Sequence, residues 1–60
     1  METISAQDAS DKLTSLIGNA VRDKSKFLIQ SPEGNGVLLS EEAYTNLMIT
    51  LEMLSTPLFL

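Results

Sequence analysis

The residue types that most often carry catalysis do not occur in this chain. It contains neither His nor Cys, so it lacks the commonest general base and the most intrinsically reactive nucleophile. Its serines have no neighbouring base in the sequence to activate them. The sequence therefore predicts a protein that is not an enzyme, with no cofactor and no small-molecule substrate.

Two patterns imitate ligand sites. Asp8 and Asp11 lie one helical turn apart and could share a proton or a metal ion, but hard cations take six or more oxygen ligands. A solvated face near a helix N-terminus, where negative charge is stabilised, is favoured instead. Glu33–Gly36 has the glycines of a phosphate loop, yet a strand rather than a helix is predicted to follow it. We expect no metal and no phosphate site.

The charge distribution leaves two interpretations open. The net charge of −4 argues against a surface devoted to nucleic acid. One interpretation is a local positive zone between residues 12 and 26, which two-fold symmetry would double. The other is that the cations near the end of a helix complement its dipole. The basic residues are Lys12, Arg22, Lys24 and Lys26.

An opening strand and a helix are predicted from the first 25 residues. Thr3–Ser5 is expected to form a brief strand, and Ser5 is placed as an N-cap because Asp8 completes a loose capping box. The following helix carries an apolar stripe typical of a helix lying on a core, and it fades by residues 23–25. Weak helix formers predict a break near residues 12–14, so two short helices can replace one. The stripe consists of Ala6, Ala9, Leu13, Leu16, Ile17, Ala20 and Val21.

An antiparallel hairpin and a longer helix are predicted from the second half, which makes the fold class α+β. Lys26–Gln30 and Gly36–Leu39 are expected as strands because the five residues between them favour turns. Each strand contains three consecutive apolar residues, which indicates a sheet covered on both faces. Ser40 is expected to cap a helix from residue 41 to about residue 54, ahead of the helix-breaking Pro57.

The predicted long helix is apolar over more of its circumference than one hairpin can cover. A chain of 60 residues buries only roughly 60% of the surface that it exposes when unfolded. Small domains usually add disulfides, a metal or a second copy, and the second copy is the option that this composition favours. We therefore expect a homodimer whose interface and core include Leu28, Val37, Leu39, Tyr44, Leu47 and Leu51.

Three large apolar residues, Leu58, Phe59 and Leu60, end the sequence. Because free termini fray unless they are tied down, we expect these side chains to pack on the chain's own core or on a partner protein. Neither a signal peptide nor an apolar run approaching the roughly 20 residues of a membrane span is recognised. The sequence predicts a cytoplasmic protein with no membrane segment and one domain, residues 1–60.

The order and spacing of several segments match a known family. Residues 3–13 (TISAQDASDKL), residues 27–29 (FLI) and residues 37–44 (VLLSEEAY), with Leu47, resemble the N-terminal domain of the Phd/YefM (prevent-host-death) antitoxins. The resemblance implies an α+β dimer in which strands of two chains join one sheet and helix N-termini lie on operator DNA. It also implies a non-catalytic antitoxin that blocks a toxin through a C-terminal tail and represses its own operon.

The chain departs from the family pattern where the family usually has basic residues. Ser10 stands in place of an Arg, and Gln30–Pro32 replaces the basic end of a strand. Lys12 is our candidate for a phosphate contact, with Gln7 near the helix start; the alternative is that both are ordinary surface residues. Since the chain ends where the toxin-binding tail would begin, we expect that tail to be absent or truncated. A dimeric protein-interaction module that has lost DNA binding is the alternative function.

Overall fold

Three strands and three helices make up residues 1–55, which are the residues that the computed structural model describes. The predicted α+β class is confirmed, with a short strand, two helices, a hairpin and a long helix in that order. The elements are β1 (Glu2–Ser5), α1 (Ala6–Asp11), α2 (Leu13–Asp23), β2 (Phe27–Ser31), β3 (Gly34–Leu38) and α3 (Glu41–Ser55).

The strands form one mixed sheet in the order β1-β2-β3. β1 and β2 are parallel, with Ser5 opposite Gln30, so the chain must cross from one end of the sheet to the other between them. α1 and α2 make that crossover. β2 and β3 are antiparallel, with Leu28 opposite Val37. The first turn of α1 and the hairpin turn consequently lie at the same end of the sheet.

Local hydrogen bonds explain where the helices begin. The backbone N–H of Asp8 donates to Oγ of Ser5 at 3.1 Å, and the N–H of Ala43 donates to Oγ of Ser40 at 3.0 Å. Both serines were predicted as N-caps, and both predictions are confirmed. The predicted helix break is confirmed at Lys12, whose backbone (φ −120°) leaves the helical region between α1 and α2.

The hairpin is tighter than expected. Instead of a five-residue turn, only two residues separate β2 from β3, so the predicted strand bounds were wrong by one to two residues. Oγ of Ser31 accepts the N–H of Glu33 at 3.2 Å and donates to the carbonyl of Gly34 at 2.6 Å. Because Gly34 adopts a φ of 130°, the chain can re-enter the sheet directly after the turn.

Replacing Gly34 by Ala is expected to lower the free energy of unfolding by about 1–3 kcal/mol, since a side chain is strained at this φ. Open space surrounds the position where a Cβ would stand at both Gly34 and Gly36, but only Gly34 has a positive φ. Gly36→Ala should therefore change stability by no more than about 0.5 kcal/mol. Urea unfolding followed by circular dichroism measures both variants, and equal losses would contradict the assigned turn.

The hydrophobic core is small and lies on one face of the sheet. Strand residues alternate between the two faces, and Phe27, which is 2% exposed, points towards the helices. Ile4, Ile29 and Leu38 pack partly against the same cluster. The buried hydrophobic residues are Ala9 on α1, Leu16 and Ala20 on α2, and Phe27 on β2.

The opposite face of the sheet is open within residues 1–55, so one copy supplies only part of the two-sided cover that the strand pattern indicates. Leu28 and its cross-strand neighbour Val37 lie there, Leu28 half-buried and Val37 exposed. α3 does not cover them, since it packs extensively against no other described element. The sequence pattern thus indicated a cover that one copy of the described chain does not provide.

Candidate functional site

α3 carries a row of large apolar side chains that are at least about half exposed. We call Tyr44, Leu47, Leu51 and Leu54 the α3 row. Each of the four is between 49% and 70% exposed. At 3.6 residues per turn they share one side of the helix, flanked on either side by the half-buried Ala43 and Met48.

A second row lies on α2. Leu13, Ile17 and Val21, called here the α2 row, recur every four residues and are 46–54% exposed. The sequence placed them on the core together with Leu16 and Ala20, but only the latter two are buried. The reason is geometric: Leu16 and Ala20 meet Phe27, whereas the α2 row points beyond the edge of that small cluster.

A cavity of about 250 Å³ lies between the end of α2 and the start of α3. Val21, at the end of the α2 row, and Ser40, at the start of α3, both contribute to its wall. Nζ of Lys24 donates to the carboxylate of Glu42 across it. This hydrogen bond, and then the charge of Lys24, hold the pKa of Glu42 below its usual value. Both side chains are exposed, so water screens the pair and it contributes little to stability.

The six residues predicted for the dimer interface are half-buried or exposed in the single chain. None of them belongs to the buried core. Leu28 and Leu39 are half-buried, and the other four are exposed. They are divided between the open face of the sheet, the segment after β3 and the α3 row. These residues are Leu28, Val37, Leu39, Tyr44, Leu47 and Leu51.

The two residues predicted for DNA contact are exposed, and the topology places Gln7 beside the hairpin. Gln7 is in the first turn of α1, at the sheet end that also holds the hairpin turn, while Lys12 links α1 to α2. No basic residue stands in the α1 first turn or the hairpin turn at that end. Lys26, whose carbonyl accepts the N–H of Glu2 at 3.1 Å, marks the opposite end. The fold therefore separates most cations from Gln7.

Other kinds of site find no support in residues 1–55. Within this range no three His, Cys, Asp or Glu side chains group as metal ligands. No helix of the described range is long and apolar enough to cross a membrane. Leu58, Phe59 and Leu60, predicted to pack on the core or on a partner, lie outside the described residues.

These features define a small α+β protein with a three-stranded mixed sheet, helices on one face and a long helix whose apolar row is uncovered. No protein-family profile and no curated protein sequence matches the chain. Its structure is similar to the crystal structure of the M. tuberculosis YefM antitoxin, with a TM-score of 0.81 and 32% sequence identity. The match covers 95% of this chain and 82% of that chain. The chain belongs to the Phd/YefM antitoxin family, as its sequence motifs indicated.

Proposed function

We propose that this protein is the antitoxin of a toxin–antitoxin pair and acts as a cytoplasmic homodimer that binds its partners without catalysis. The observation that carries the proposal is the structural likeness to the YefM antitoxin over 95% of the chain. The uncovered α2 and α3 rows support association, since exposed apolar surface of this extent usually marks an interface. A chain without His or Cys is suited to binding rather than to acid–base or thiol chemistry.

The antitoxin role is tested with the reading frame next to the gene. Its product is expected to arrest growth when induced alone, and co-expression of this protein is expected to restore growth. Co-expression of the Phe27→Ala variant, whose core is disrupted, serves as the control. Failure of the intact protein to restore growth, although it is folded and present in excess, would contradict the proposal.

Operator binding is the second part of the proposal, with Gln7 and Lys12 at the contact. One Lys12 from each copy gives about two phosphate contacts. For two such contacts, a plot of the logarithm of the DNA-binding constant against the logarithm of salt concentration has a slope of about −2. Lys12→Ala should bring that slope close to zero. The slope is measured from the electrophoretic mobility of the DNA upstream of the gene at several salt concentrations. If Lys12→Ala has the same slope as the wild type, Lys12 does not contact the DNA.

A dimeric protein-interaction module without DNA binding is the alternative. It is favoured by the absence of any basic residue from the α1 first turn and from the hairpin turn. The same mobility experiment separates the two functions. No shift even at low salt, from a protein that still protects against the toxin, would support the alternative.

A further inference from the structure

We propose that Asn35 is a site of spontaneous deamidation, at which the backbone nitrogen of Gly36 converts the side-chain amide into a carboxylate. The chain has three asparagines, Asn19, Asn35 and Asn46, and only Asn35 is followed by glycine. The modification adds a negative charge to the sheet end that also holds Gln7. Its effect on DNA rests on the operator binding proposed above, whereas the modification itself does not.

The surroundings of Asn35 leave its side chain able to react. Asn35 and Gly36 are both exposed on β3, which is an edge strand of the described sheet. Within residues 1–55, no side-chain hydrogen bond or ion pair engages the Asn35 amide. Open space surrounds the position at Gly36 where another residue would carry a Cβ. The amide can therefore turn towards the next backbone nitrogen without meeting a side chain.

The reaction is an internal substitution followed by hydrolysis. The nitrogen of Gly36 loses its proton to hydroxide and attacks Cγ of Asn35, so that a new C–N bond closes a five-membered succinimide ring. The bond from Cγ to the amide nitrogen breaks, and that nitrogen takes up a proton and departs as ammonia. Water then opens the ring at either carbonyl, which gives aspartate or its isomer isoaspartate. The net change consumes water, releases ammonia and transfers no electrons.

The other two asparagines are poorly placed for the same reaction. Asn19 lies in α2 and Asn46 in α3, and each precedes a residue that bears a Cβ. The next backbone nitrogen is then crowded and held in helical geometry. Asn35 lies beside the hairpin turn on an edge strand, where local opening costs little free energy, and the following glycine adapts to many backbone conformations. Deamidation should therefore concentrate at residue 35.

The strand register places the new carboxylate close to α1. Asn35 pairs with Gln30, and Gln30 pairs with Ser5, so these residues form one row across the sheet. At about 4.8 Å between neighbouring strands, Asn35 lies about 10 Å from Ser5, which caps the helix that carries Gln7. This distance is close to the Debye length of about 10 Å at 0.1 M salt. A carboxylate at residue 35 consequently repels phosphate bound at this end of the sheet.

Mass spectrometry of the ageing protein tests the modification. Wild-type protein is incubated in water enriched in ¹⁸O and then digested in ordinary water, so that only deamidation during the incubation carries the heavy isotope. Residue 35 is expected to gain the label at least about tenfold faster than Asn19 or Asn46. The rate should rise with pH, because the attacking nitrogen must lose its proton. Equal rates at the three asparagines, or no label at residue 35, would overturn the proposal.

Gly36→Ala is the matched control for the mechanism. It keeps Asn35 and adds a Cβ beside the attacking nitrogen, where the open space should leave the fold intact, as circular dichroism can verify. Labelling of residue 35 is expected to slow at least about tenfold, since alanine adapts less readily than glycine to the conformation of attack. A folded Gly36→Ala protein that deamidates as fast as the wild type would contradict the proposed attack.

Asn35→Asp tests the consequence for DNA, because it carries the charge of the product without ageing. In electrophoretic mobility experiments at low salt, it is expected to raise the dissociation constant for the upstream DNA about three- to tenfold, whereas the neutral Asn35→Gln variant should stay within about twofold of the wild type. Equal affinities of the two variants would overturn the effect on DNA. A wild-type protein that never shifts the DNA would overturn the proposed operator binding, while the modification is judged by mass spectrometry alone.

Discussion

Phe27→Ala is expected to lower the free energy of unfolding by about 3–5 kcal/mol, the usual loss for truncating a buried aromatic side chain. Phe27 is 2% exposed and joins α1, α2 and the sheet in one cluster. Small domains have a total stability of roughly 0.05–0.15 kcal/mol per residue, which for a chain of this length is of the same size as the loss. Most of the variant should therefore be unfolded at 25 °C.

Urea unfolding by circular dichroism measures this loss, at one fixed protein concentration because association contributes to apparent stability. Phe27→Leu is the control, since it keeps most of the apolar volume and should cost less than Phe27→Ala by at least about 1 kcal/mol. Similar urea midpoints for wild type and Phe27→Ala would show that the core is not centred on this residue.

The helix starts were predictable because short-range hydrogen bonds determine them. Ser5 and Ser40 each accept an N–H from three residues further along the chain, so all the information lies within one turn. The break at Lys12 is also local, since weak helix formers surround it. Such features depend little on how the rest of the chain packs.

The hairpin bounds were harder to predict because two residues could supply the positive φ. Gly34 and Asn35 both tolerate that conformation, and a longer turn using both was expected. In the structure only Gly34 uses it, and the hydroxyl of Ser31 closes the turn. The choice between the two residues depends on the register with β2, which sequence alone does not specify.

The α2 row shows the limit of hydrophobic periodicity. The spacing of Leu13, Ile17 and Val21 correctly indicated which side of the helix is apolar, but it carries no information on how far the core extends. That extent depends on a sheet of three short strands, whose helix-facing side is filled by Phe27 and its few neighbours. The side chains beyond it stay exposed.

Topology spreads the residues of the hypothetical positive zone along the molecule. Residues that are close in sequence between 12 and 26 are spread along the whole length of α2 and on to the start of β2. Lys24 is paired with Glu42, and the guanidinium of Arg22 lies beside Gly18 on its own helix. Lys12 consequently remains the candidate nearest to Gln7 in the chain.

Leu51→Asp is expected to dissociate the dimer, raising its dissociation constant by at least about 100-fold, because a carboxylate would be placed in a desolvated helix contact. Since folding and association support each other in small obligate dimers, the variant should also lose helical signal as it is diluted. Analytical ultracentrifugation and circular dichroism over the same concentration series measure the two effects together.

Ile49→Asp is a closely matched control for this variant. Ile49 and Leu51 have nearly equal exposure, 47% and 49%, but they lie about 160° apart around α3. If exposure alone governed the cost of the charge, the two variants would behave alike. If the α3 row contacts a second copy, Ile49→Asp should remain dimeric and helical while Leu51→Asp should not. A folded, monomeric Leu51→Asp protein with undiminished helicity would show instead that each chain folds independently, and the requirement for a dimer would have to be given up.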